Sequence, residues 1–170
     1  MNREPLLNQL NLASEAYKRG RLDDAQLICS EILAIDINES KTLHLLGCIH
    51  KEKGDLQTAA SYIYKSIKID DSDPFAFLSL GKVLILLGEY KQAGFIFQQS
   101  LKLDRYIPDA WYLYGNSLRL INKRKEAISA YQTTLNLQDN HPEAATNLGA
   151  LLLEEGDYQS AITVLYNAIN

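Results

Sequence analysis

Cysteine, long apolar runs and positive charge are all scarce in this sequence, and each scarcity excludes a class of protein. Two cysteines, Cys29 and Cys48, are too few for a disulfide framework. No stretch approaches the roughly 18 consecutive apolar residues that cross a bilayer, and polar residues interrupt the N-terminal segment, so neither a membrane span nor a signal peptide is predicted. The net charge of −4 argues against a nucleic-acid-binding surface, which normally carries excess positive charge. We therefore expect a cytoplasmic protein with reduced thiols.

Glycine and proline are also few, but almost all of them recur at intervals of 34 residues. One series is Gly20, Gly54, Gly88 and Gly156, with Asn122 at the missing step, and a second is Gly47, Gly81, Gly115 and Gly149. Asparagine is the residue that best replaces glycine where the backbone turns left-handed. An alanine follows five residues after each step of the first series, at Ala25, Ala59, Ala93, Ala127 and Ala161. This regularity predicts a tandem repeat.

The segment from residue 108 to residue 141 shows best which repeat this is. It places Trp111, Gly115, Ala127 and Tyr131 at spacings that resemble the signature of the tetratricopeptide repeat, a helix–turn–helix unit of 34 residues. The resemblance implies an all-α protein, an α-solenoid that forms a right-handed superhelix with a concave face. The ordinary globular composition of the 170 residues fits one domain, residues 1–170. Its repeats would span residues 6–39, 40–73, 74–107, 108–141 and, incompletely, 142–170.

The residue types explain why each unit would form two helices. Each of the four prolines lies at or next to the start of a unit, where the first helix (A) begins, and proline suits the first helical position because it lacks an N–H that would be unpaired there. Asp73 or Ser72 can cap the helix that begins at Pro74. The recurring glycine inside helix A costs roughly 1 kcal/mol against alanine, so we expect a close approach of the second helix (B) there. The proline that the family carries near the end of helix B is replaced by Ile37, Asp71, Arg105 and Asp139.

Residues that could perform catalysis or bind a metal are poorly placed for either role. His44 and His50 are six residues apart, which does not match the i, i+4 spacing of a helical metal pair. His50 occupies a repeat position that is leucine in three other units, and Cys29 occupies a core position, so both are expected to pack. The sequence has no phosphate-binding loop, no GxSxG and no HExxH. We expect no catalytic, cofactor-binding or metal-binding residue, and no enzymatic activity.

The resemblance instead directs attention to helix A residues, which line the concave face in the family. Carried over position by position, the resemblance implies that this surface would bind a protein or peptide partner, as an adaptor or scaffold does. Its predicted residues are Leu10, Asn11, Ser14, Tyr17, His44, Leu45, Cys48, Leu78, Ser79, Lys82, Tyr112, Leu113, Asn116, Arg119, Thr146 and Asn147.

Two known specialisations of the family are not supported. The carboxylate clamp of chaperone-binding members needs a lysine and an asparagine where this chain has Leu10 and Ser14. The asparagine ladder of protein-glycosylating members is present only at Asn11 and Asn147. Leu45, Ser79 and Leu113 interrupt it. What remains is a mixed surface whose specificity must come from other residues.

Four residues of that mixed surface suggest the chemistry of a ligand. Lys82, Tyr112, Asn116 and Arg119 recur on successive repeats, and we hypothesise that they hold an extended or helical peptide of some acidic character. Leu45, Leu78 and Leu113 would supply apolar anchors. The alternative is that Lys82 and Arg119 are ordinary solvated charges, and the sequence leaves both interpretations open.

The fifth unit stops inside its helix B, which affects how the array would end. A typical array closes with a further polar-faced helix, so Ile162, Leu165 and Ile169 are expected to be partly exposed. One interpretation is self-association through these residues into a homo-oligomer. The other is that the chain is the N-terminal, partner-selecting region of a larger and possibly enzymatic protein.

Overall fold

Helices alternate with short turns along the chain, in agreement with the predicted all-α fold. The computed structural model describes residues 4–168, and within that range it has ten α-helices and no strand. In chain order they are α1 (Glu4–Lys18), α2 (Leu22–Ile35), α3 (Ser40–Glu52), α4 (Leu56–Ile69), α5 (Pro74–Leu86), α6 (Tyr90–Leu103), α7 (Pro108–Leu120), α8 (Arg124–Leu137), α9 (Pro142–Glu154) and α10 (Tyr158–Asn167). Odd-numbered helices are the predicted helices A and even-numbered ones the helices B.

The chain divides into two compact units, Met1–Leu87 and Gly88–Asn170. In the first unit, α1 packs on α2, α3 on α4, and each pair contacts the helix that follows it. In the second unit, α7 packs on α8 and α9 on α10, and α6 and α8 contact the helices that follow them. The division falls between the two helices of the third repeat, and the single domain over residues 1–170 stays a prediction.

The turns between helices A and B confirm the backbone role predicted for glycine and asparagine. Gly54 has φ +81°, and Asn122 has φ 62° at the equivalent place. Their neighbours make the same closing hydrogen bonds: the Asp55 amide donates to the His50 carbonyl at 3.0 Å, and the Lys123 amide to the Leu118 carbonyl at 2.9 Å. Asparagine therefore serves where the other repeats use glycine, because its short side chain tolerates the left-handed region.

Glycines inside helix A lie where helix B approaches most closely, which confirms the packing reason expected for them. A Cβ atom on Gly115 would lie 2.7 Å from Cε1 of Tyr131, and one on Gly149 would lie 2.7 Å from Cδ2 of Leu165. Atoms never approach this closely without strain. The internal glycine thus sets the separation of the two helices in a pair.

Helix starts follow the chemistry predicted for them. Helices α5, α7 and α9 begin at Pro74, Pro108 and Pro142. Asp73, not Ser72, caps α5, because its Oδ1 accepts a hydrogen bond from the Phe75 amide at 2.9 Å. Helices B in the first four repeats end two residues before the positions of the family's proline, at Ile35, Ile69, Leu103 and Leu137.

Buried side chains on facing helices form the core of each unit. The alanine of every repeat, from Ala25 to Ala161, is 0% exposed. One cluster in the first unit centres on Ala16, Cys29 and Ile49, and one in the second centres on Tyr131, Leu148 and Leu152. The core position expected for Cys29 is confirmed, and burial raises the pKa of its thiol to about 12, which keeps it protonated and unreactive.

Candidate functional site

The residues predicted to line a binding face lie on helices α1, α3 and α5 of the first unit and on α7 and α9 of the second. We call the face that these helices form within each unit the helix A surface. In the first unit α3 contacts both α1 and α5, so their faces adjoin. In the second unit a hydrogen bond between Asn116 and Asn147 joins α7 and α9. The helix A surface is therefore built separately within each unit.

His44, Cys48 and Ser79 meet in the first unit, where α3 faces α5. Nε2 of His44 lies 2.8 Å from Oγ of Ser79, and the Cys48 thiol donates a weak hydrogen bond to the same oxygen at 3.9 Å. Burial lowers the pKa of His44, although Asp73 opposes the shift, and burial raises the pKa of the Cys48 thiol. At neutral pH both side chains are therefore uncharged.

This cluster contains a serine, a histidine and a carboxylate, so its fitness for catalysis can be judged from geometry. Nδ1 of His44 lies 3.7 Å from Oδ2 of Asp73, which is too far for the hydrogen bond that orients a catalytic base. The other oxygen of Asp73 is held by the amide of Phe75 as the cap of α5. Ser79 lies within helix α5, where backbone amides bond to carbonyls of the same helix and cannot form an oxyanion hole. The arrangement fits a polar packing contact or a ligand contact better than catalysis.

Cations on the first unit's surface differ in whether they have a partner. Nζ of Lys51 lies 2.8 Å from Oε1 of Glu52, which also contacts Tyr17. Lys82 has no carboxylate partner within residues 4–168. Its charge is therefore available to a ligand, whereas the charge of Lys51 is compensated.

A hydrogen-bonded network centred on Asn116 organises the second unit's surface. Oδ1 of Asn116 accepts a hydrogen bond from the Tyr131 hydroxyl at 2.7 Å and another from Nδ2 of Asn147 at 3.0 Å. Tyr131 is 0% exposed, and burial raises the pKa of its hydroxyl while the Arg119 guanidinium opposes the shift. Because Oδ1 is occupied by two donors, the amide nitrogen of Asn116 keeps both its N–H groups for other partners.

An aromatic cluster beside this network places Tyr112. Its ring centroid lies 6.1 Å from that of Tyr131 and 4.8 Å from that of His141. His141 is only 8% exposed and caps α9, because its Nδ1 accepts a hydrogen bond from the Ala144 amide at 3.2 Å. Asp109 and Glu143 lie within 3.9 Å of the same ring.

Sequence reasoning missed two parts of this site. Tyr131 was identified only as a repeat signature, yet its hydroxyl orients Asn116. His141 was not identified at all, although its place directly before Pro142 is where Asp73 caps α5. Histidine is not among the residues that usually cap helices, so capping preference alone would not have found it.

The remaining predicted residues differ in how much surface they offer. Leu45 and Leu113 are half-buried, but Leu78 is only 6% exposed and offers little area as an apolar anchor. Thr146 is exposed, and its hydroxyl donates to the Pro142 carbonyl at 2.8 Å. On α1, Asn11 is exposed, while Leu10, Ser14 and Tyr17 are half-buried.

Leu10 belongs to a separate recess of the first unit. A cavity of ≈520 Å³ between α1 and the start of α3 is lined by Leu10 together with Leu6, Leu7 and Lys41. The geometry thus places Leu10 apart from the group formed by His44, Cys48 and Ser79.

Other titratable residues have packing roles. The His50 ring stacks on Tyr62 with centroids 5.4 Å apart, and its Nδ1 lies 3.3 Å from Asp55, so the expected helix-face role is confirmed. In residues 4–168, no group of three His, Cys, Asp or Glu side chains is placed to hold a metal ion. Nor is any helix in that range long and apolar enough to cross a membrane.

Residues predicted for self-association lie on the last helix, α10. Ile162 is 60% exposed, whereas Leu165 is half-buried and packs against Gly149. Ile169 lies outside the described residues. Partial exposure is thus observed for the first two, and self-association itself stays a prediction.

Comparisons with known proteins agree on one type of repeat. One tetratricopeptide-repeat model matches residues 40–73 and 76–106, and a second matches residues 115–169, so together they account for more than half of the chain. No curated protein matches the sequence.

Solved structures with the same fold are numerous and distant in sequence. MamA from Desulfovibrio magneticus RS-1 is 20% identical, with 96% of this chain and 93% of that chain covered and a TM-score of 0.86. YrrB, described as a TPR protein with an unusual peptide-binding site, is 21% identical, with 99% and 87% covered and a TM-score of 0.81. PilF from Pseudomonas aeruginosa is 17% identical, with 97% and 77% covered and a TM-score of 0.86. At these sequence identities the likeness shows a shared fold and nothing further.

Proposed function

We propose that this chain, which belongs to the tetratricopeptide-repeat family, is a non-enzymatic adaptor or scaffold that binds an acidic peptide segment on its helix A surface. The family and the fold support a protein–protein interaction module. A peptide is the favoured ligand class because YrrB, which shares the fold, has a peptide-binding site. The observation that carries the proposal is the Asn116 amide, oriented by Tyr131 and Asn147 beside an Arg119 that lacks a carboxylate partner among the described residues.

Each side chain of the second unit's surface has a defined role in this proposal. The N–H groups of Asn116 donate to carbonyl oxygens of the peptide backbone. The Arg119 guanidinium pairs with a peptide carboxylate, and such charge-assisted hydrogen bonds contribute about 1.5–3 kcal/mol each. Tyr112 and Leu113 offer apolar area next to these groups. Pre-orientation by Tyr131 lowers the entropy lost when the peptide binds.

The first unit offers a simpler set of contacts. Lys82 supplies an uncompensated charge, Leu45 a half-buried apolar surface, and the His44–Ser79 pair a polar contact whose groups already bond to each other. Because His44 and Ser79 satisfy one another, we assign the main polar recognition to the second unit.

Peptide capture with matched variants tests the proposal. Arg119→Ala removes a guanidinium that hydrogen-bonds to the Tyr131 hydroxyl but has no carboxylate partner among residues 4–168. Asn116→Asp keeps the acceptor for Tyr131 while replacing the outward donor by a negative oxygen. Lys125→Ala, in the exposed first turn of α8, is the control that removes the same charge elsewhere. We expect affinity for captured acidic peptides to fall about tenfold, equivalent to ~1.4 kcal/mol, in each of the two variants and to be unchanged in the control.

Two results would count against the proposal. One is equal affinity of the Arg119→Ala variant and the wild type for every captured peptide. The other is selection of basic peptides, which would show that Arg119 is a solvated charge. Circular dichroism melting of each variant separates loss of binding from loss of fold.

A second candidate, a self-associating scaffold, has one observation in its favour, the 60% exposure of Ile162 on α10. Ile162→Asp would then lower the mass of the particle measured by light scattering across a concentration series. A monomeric wild type at high concentration would remove this candidate. If the chain is the partner-selecting region of a larger protein, the full open reading frame would show the additional domain.

A further inference from the structure

Helices B of the first two repeats enclose an open apolar groove on a different part of the first unit. We call it the α2–α4 groove. It has a volume of ≈940 Å³ and is lined by Leu33, Ala34, Leu43, Leu46, Tyr62 and residues next to them. Three of its apolar side chains remain largely in water, with exposed fractions of 74% for Ile37, 52% for Tyr64 and 45% for Ile69. Such concentrated apolar exposure marks binding surfaces more often than it marks ordinary surface.

Charge in the α2–α4 groove has a single sign. Lys65 and Lys68 are the only charged side chains that line it within the described part of the chain. Nζ of Lys65 lies 5.6 Å from the Tyr62 ring centroid and Nζ of Lys68 lies 5.3 Å from that of Tyr64, so both ammonium groups stay beside the apolar floor. Neither lysine has a carboxylate partner among residues 4–168. The groove therefore complements an apolar surface flanked by negative charge.

The second unit contains the equivalent groove, three periods of 34 residues later, between α8 and α10. Its volume is ≈370 Å³, and its lining includes Gln132, Asn136, Gln159 and Thr163. Leu135 stands where the α2–α4 groove has Leu33, but Asn136 stands in place of Ala34. The same helical arrangement thus exists with polar residues at several rim positions, beside apolar residues such as Leu135 and Leu148.

Other repeats lead to the same conclusion from the sequence. The position of Ile37 is charged in the next three repeats, and the position of Ala34 is polar or charged in all three. The corresponding residues are Asp71, Arg105 and Asp139 for Ile37, and Lys68, Lys102 and Asn136 for Ala34. Among the first four repeats, apolar residues at these two exposed positions are therefore a feature of the first repeat, whereas Leu43 and Leu46 of the groove are buried.

We propose that the α2–α4 groove is a second docking site, which takes an acidic amphipathic α-helix from a partner protein. Helices α2 and α4 have 14 residues each and are about 21 Å long, so the groove accommodates roughly four turns of a partner helix. Apolar side chains at positions i, i+3 or i+4, and i+7 of that helix would contact Leu33, Ile37 and Tyr62. Its flanking carboxylates would pair with Lys65 and Lys68. This site is independent of the helix A surface.

The test uses two variants that copy residues already present in the second unit. Ala34→Asn with Ile37→Asp introduces the residues of positions 136 and 139 and makes the groove polar. Lys65→Asn introduces the residue of position 167. The probe is a displayed library of random 16-residue peptides, selected on the wild-type chain with removal of peptides that also bind the Ala34→Asn/Ile37→Asp variant.

The expected result is a set of groove-dependent peptides with apolar residues at helical spacing and an excess of aspartate and glutamate. Their affinity should fall at least about tenfold on the double variant and severalfold on Lys65→Asn, as expected for losing central apolar contacts and one rim charge. Amide chemical shifts of the wild type should change in residues 30–38 and 61–69. Arg119→Ala should leave these affinities unchanged.

Four outcomes would overturn the proposal. The first is the absence of any groove-dependent peptide, and the second is a groove-dependent set that is basic or uncharged. The third is equal loss of binding on Arg119→Ala, which would place the peptides on the helix A surface and leave that proposal intact. The fourth is a wild type that dimerises while the double variant is monomeric, which would identify a second copy of the chain as the occupant.

Discussion

The two units use the same helical pairs, but their surfaces differ in kind. The first unit carries an apolar α2–α4 groove with two lysines and a helix A surface whose polar groups, His44 and Ser79, satisfy each other. The second unit carries a smaller groove of mixed polar and apolar lining between α8 and α10, and a helix A surface where Asn116 is oriented by a buried tyrosine. The difference shows that the residues which build a repeat leave the outer positions of both helices free to vary.

In the second unit, the largest loss of stability is expected for substitution of the buried tyrosine. Tyr131→Ala removes a side chain that is 0% exposed and leaves a cavity against Gly115 and Leu148, so we expect a loss of about 3–5 kcal/mol in the free energy of unfolding. Urea denaturation followed by circular dichroism measures it.

Tyr131→Phe is the matched control for that substitution. It removes only the hydroxyl that bonds to Asn116, and the expected cost is about 0.5–1.5 kcal/mol. Equal costs for the two variants would show that the hydrogen bond, not the packing of the ring, dominates the role of Tyr131.

The next largest loss of stability is expected for substitution of the helix A glycine. Its mechanism differs from that of substituting the turn glycine. Gly115→Ala places a Cβ against the Tyr131 ring, which costs about 1–3 kcal/mol from overpacking and is partly offset by about 1 kcal/mol of helix propensity. Combining Gly115→Ala with Tyr131→Leu should restore most of the lost stability. Gly54→Ala is destabilising because the backbone has φ +81°, so no change in packing should restore its stability. A double-mutant cycle in urea distinguishes the two.

His44 should make the stability of the first unit depend on pH, in contrast to the second unit. Burial lowers the pKa of His44 in the folded state below its unfolded value near 6.5, so its contribution to stability is present above pH 6.5 and is lost as the pH falls toward the folded pKa. Thermal midpoints of the wild type should therefore fall between pH 7 and pH 5. His44→Gln keeps a polar partner for Ser79 but cannot be protonated, and it should weaken this dependence.

An unchanged pH dependence in the His44→Gln variant would assign the effect to other groups. The titration of His44 itself, followed by NMR of the ring protons, gives an independent readout. A midpoint above the unfolded value would contradict the direction derived from its burial.

The smallest effect is expected for the exchange of groove residues between repeats. Ala34→Asn with Ile37→Asp changes exposed side chains whose repeat positions are already polar in the second unit, so the free energy of unfolding should change by less than about 0.5 kcal/mol. A loss much above 1 kcal/mol would show that these residues support the first unit's core, and the comparison of the two grooves would no longer hold.

Much of the fold could be predicted because its signals are local. A left-handed turn accepts few residue types, so glycine and asparagine recur where φ is positive, and a close helix contact accepts only a small residue, so alanine and glycine recur inside the helices. Proline marks helix starts for an equally local reason. These constraints repeat every 34 residues and can be identified without any knowledge of contacts.

The candidate site was predicted less completely, since its properties depend on pairs of residues far apart in the chain. The repeat positions assigned Asn116 and Asn147 to the same predicted surface, but no local pattern indicates that one amide bonds to the other across 31 residues. The repeat position of Leu78 predicts that its side chain lies on the surface, but it is only 6% exposed. Burial of this kind depends on the sizes of neighbouring side chains.

The sequence by itself thus determined the repeat, the places of the turns, the close contacts within helical pairs and the family to which the chain belongs. Each follows from steric limits on one residue or on two residues in the paired helices of one repeat. Only the tertiary structure decided which polar groups are already satisfied, which cations lack a carboxylate partner among the described residues, and which residues line each groove between helices B. Those properties depend on packing and hydrogen bonds between side chains of separate repeats, which the 34-residue periodicity of the sequence does not predict.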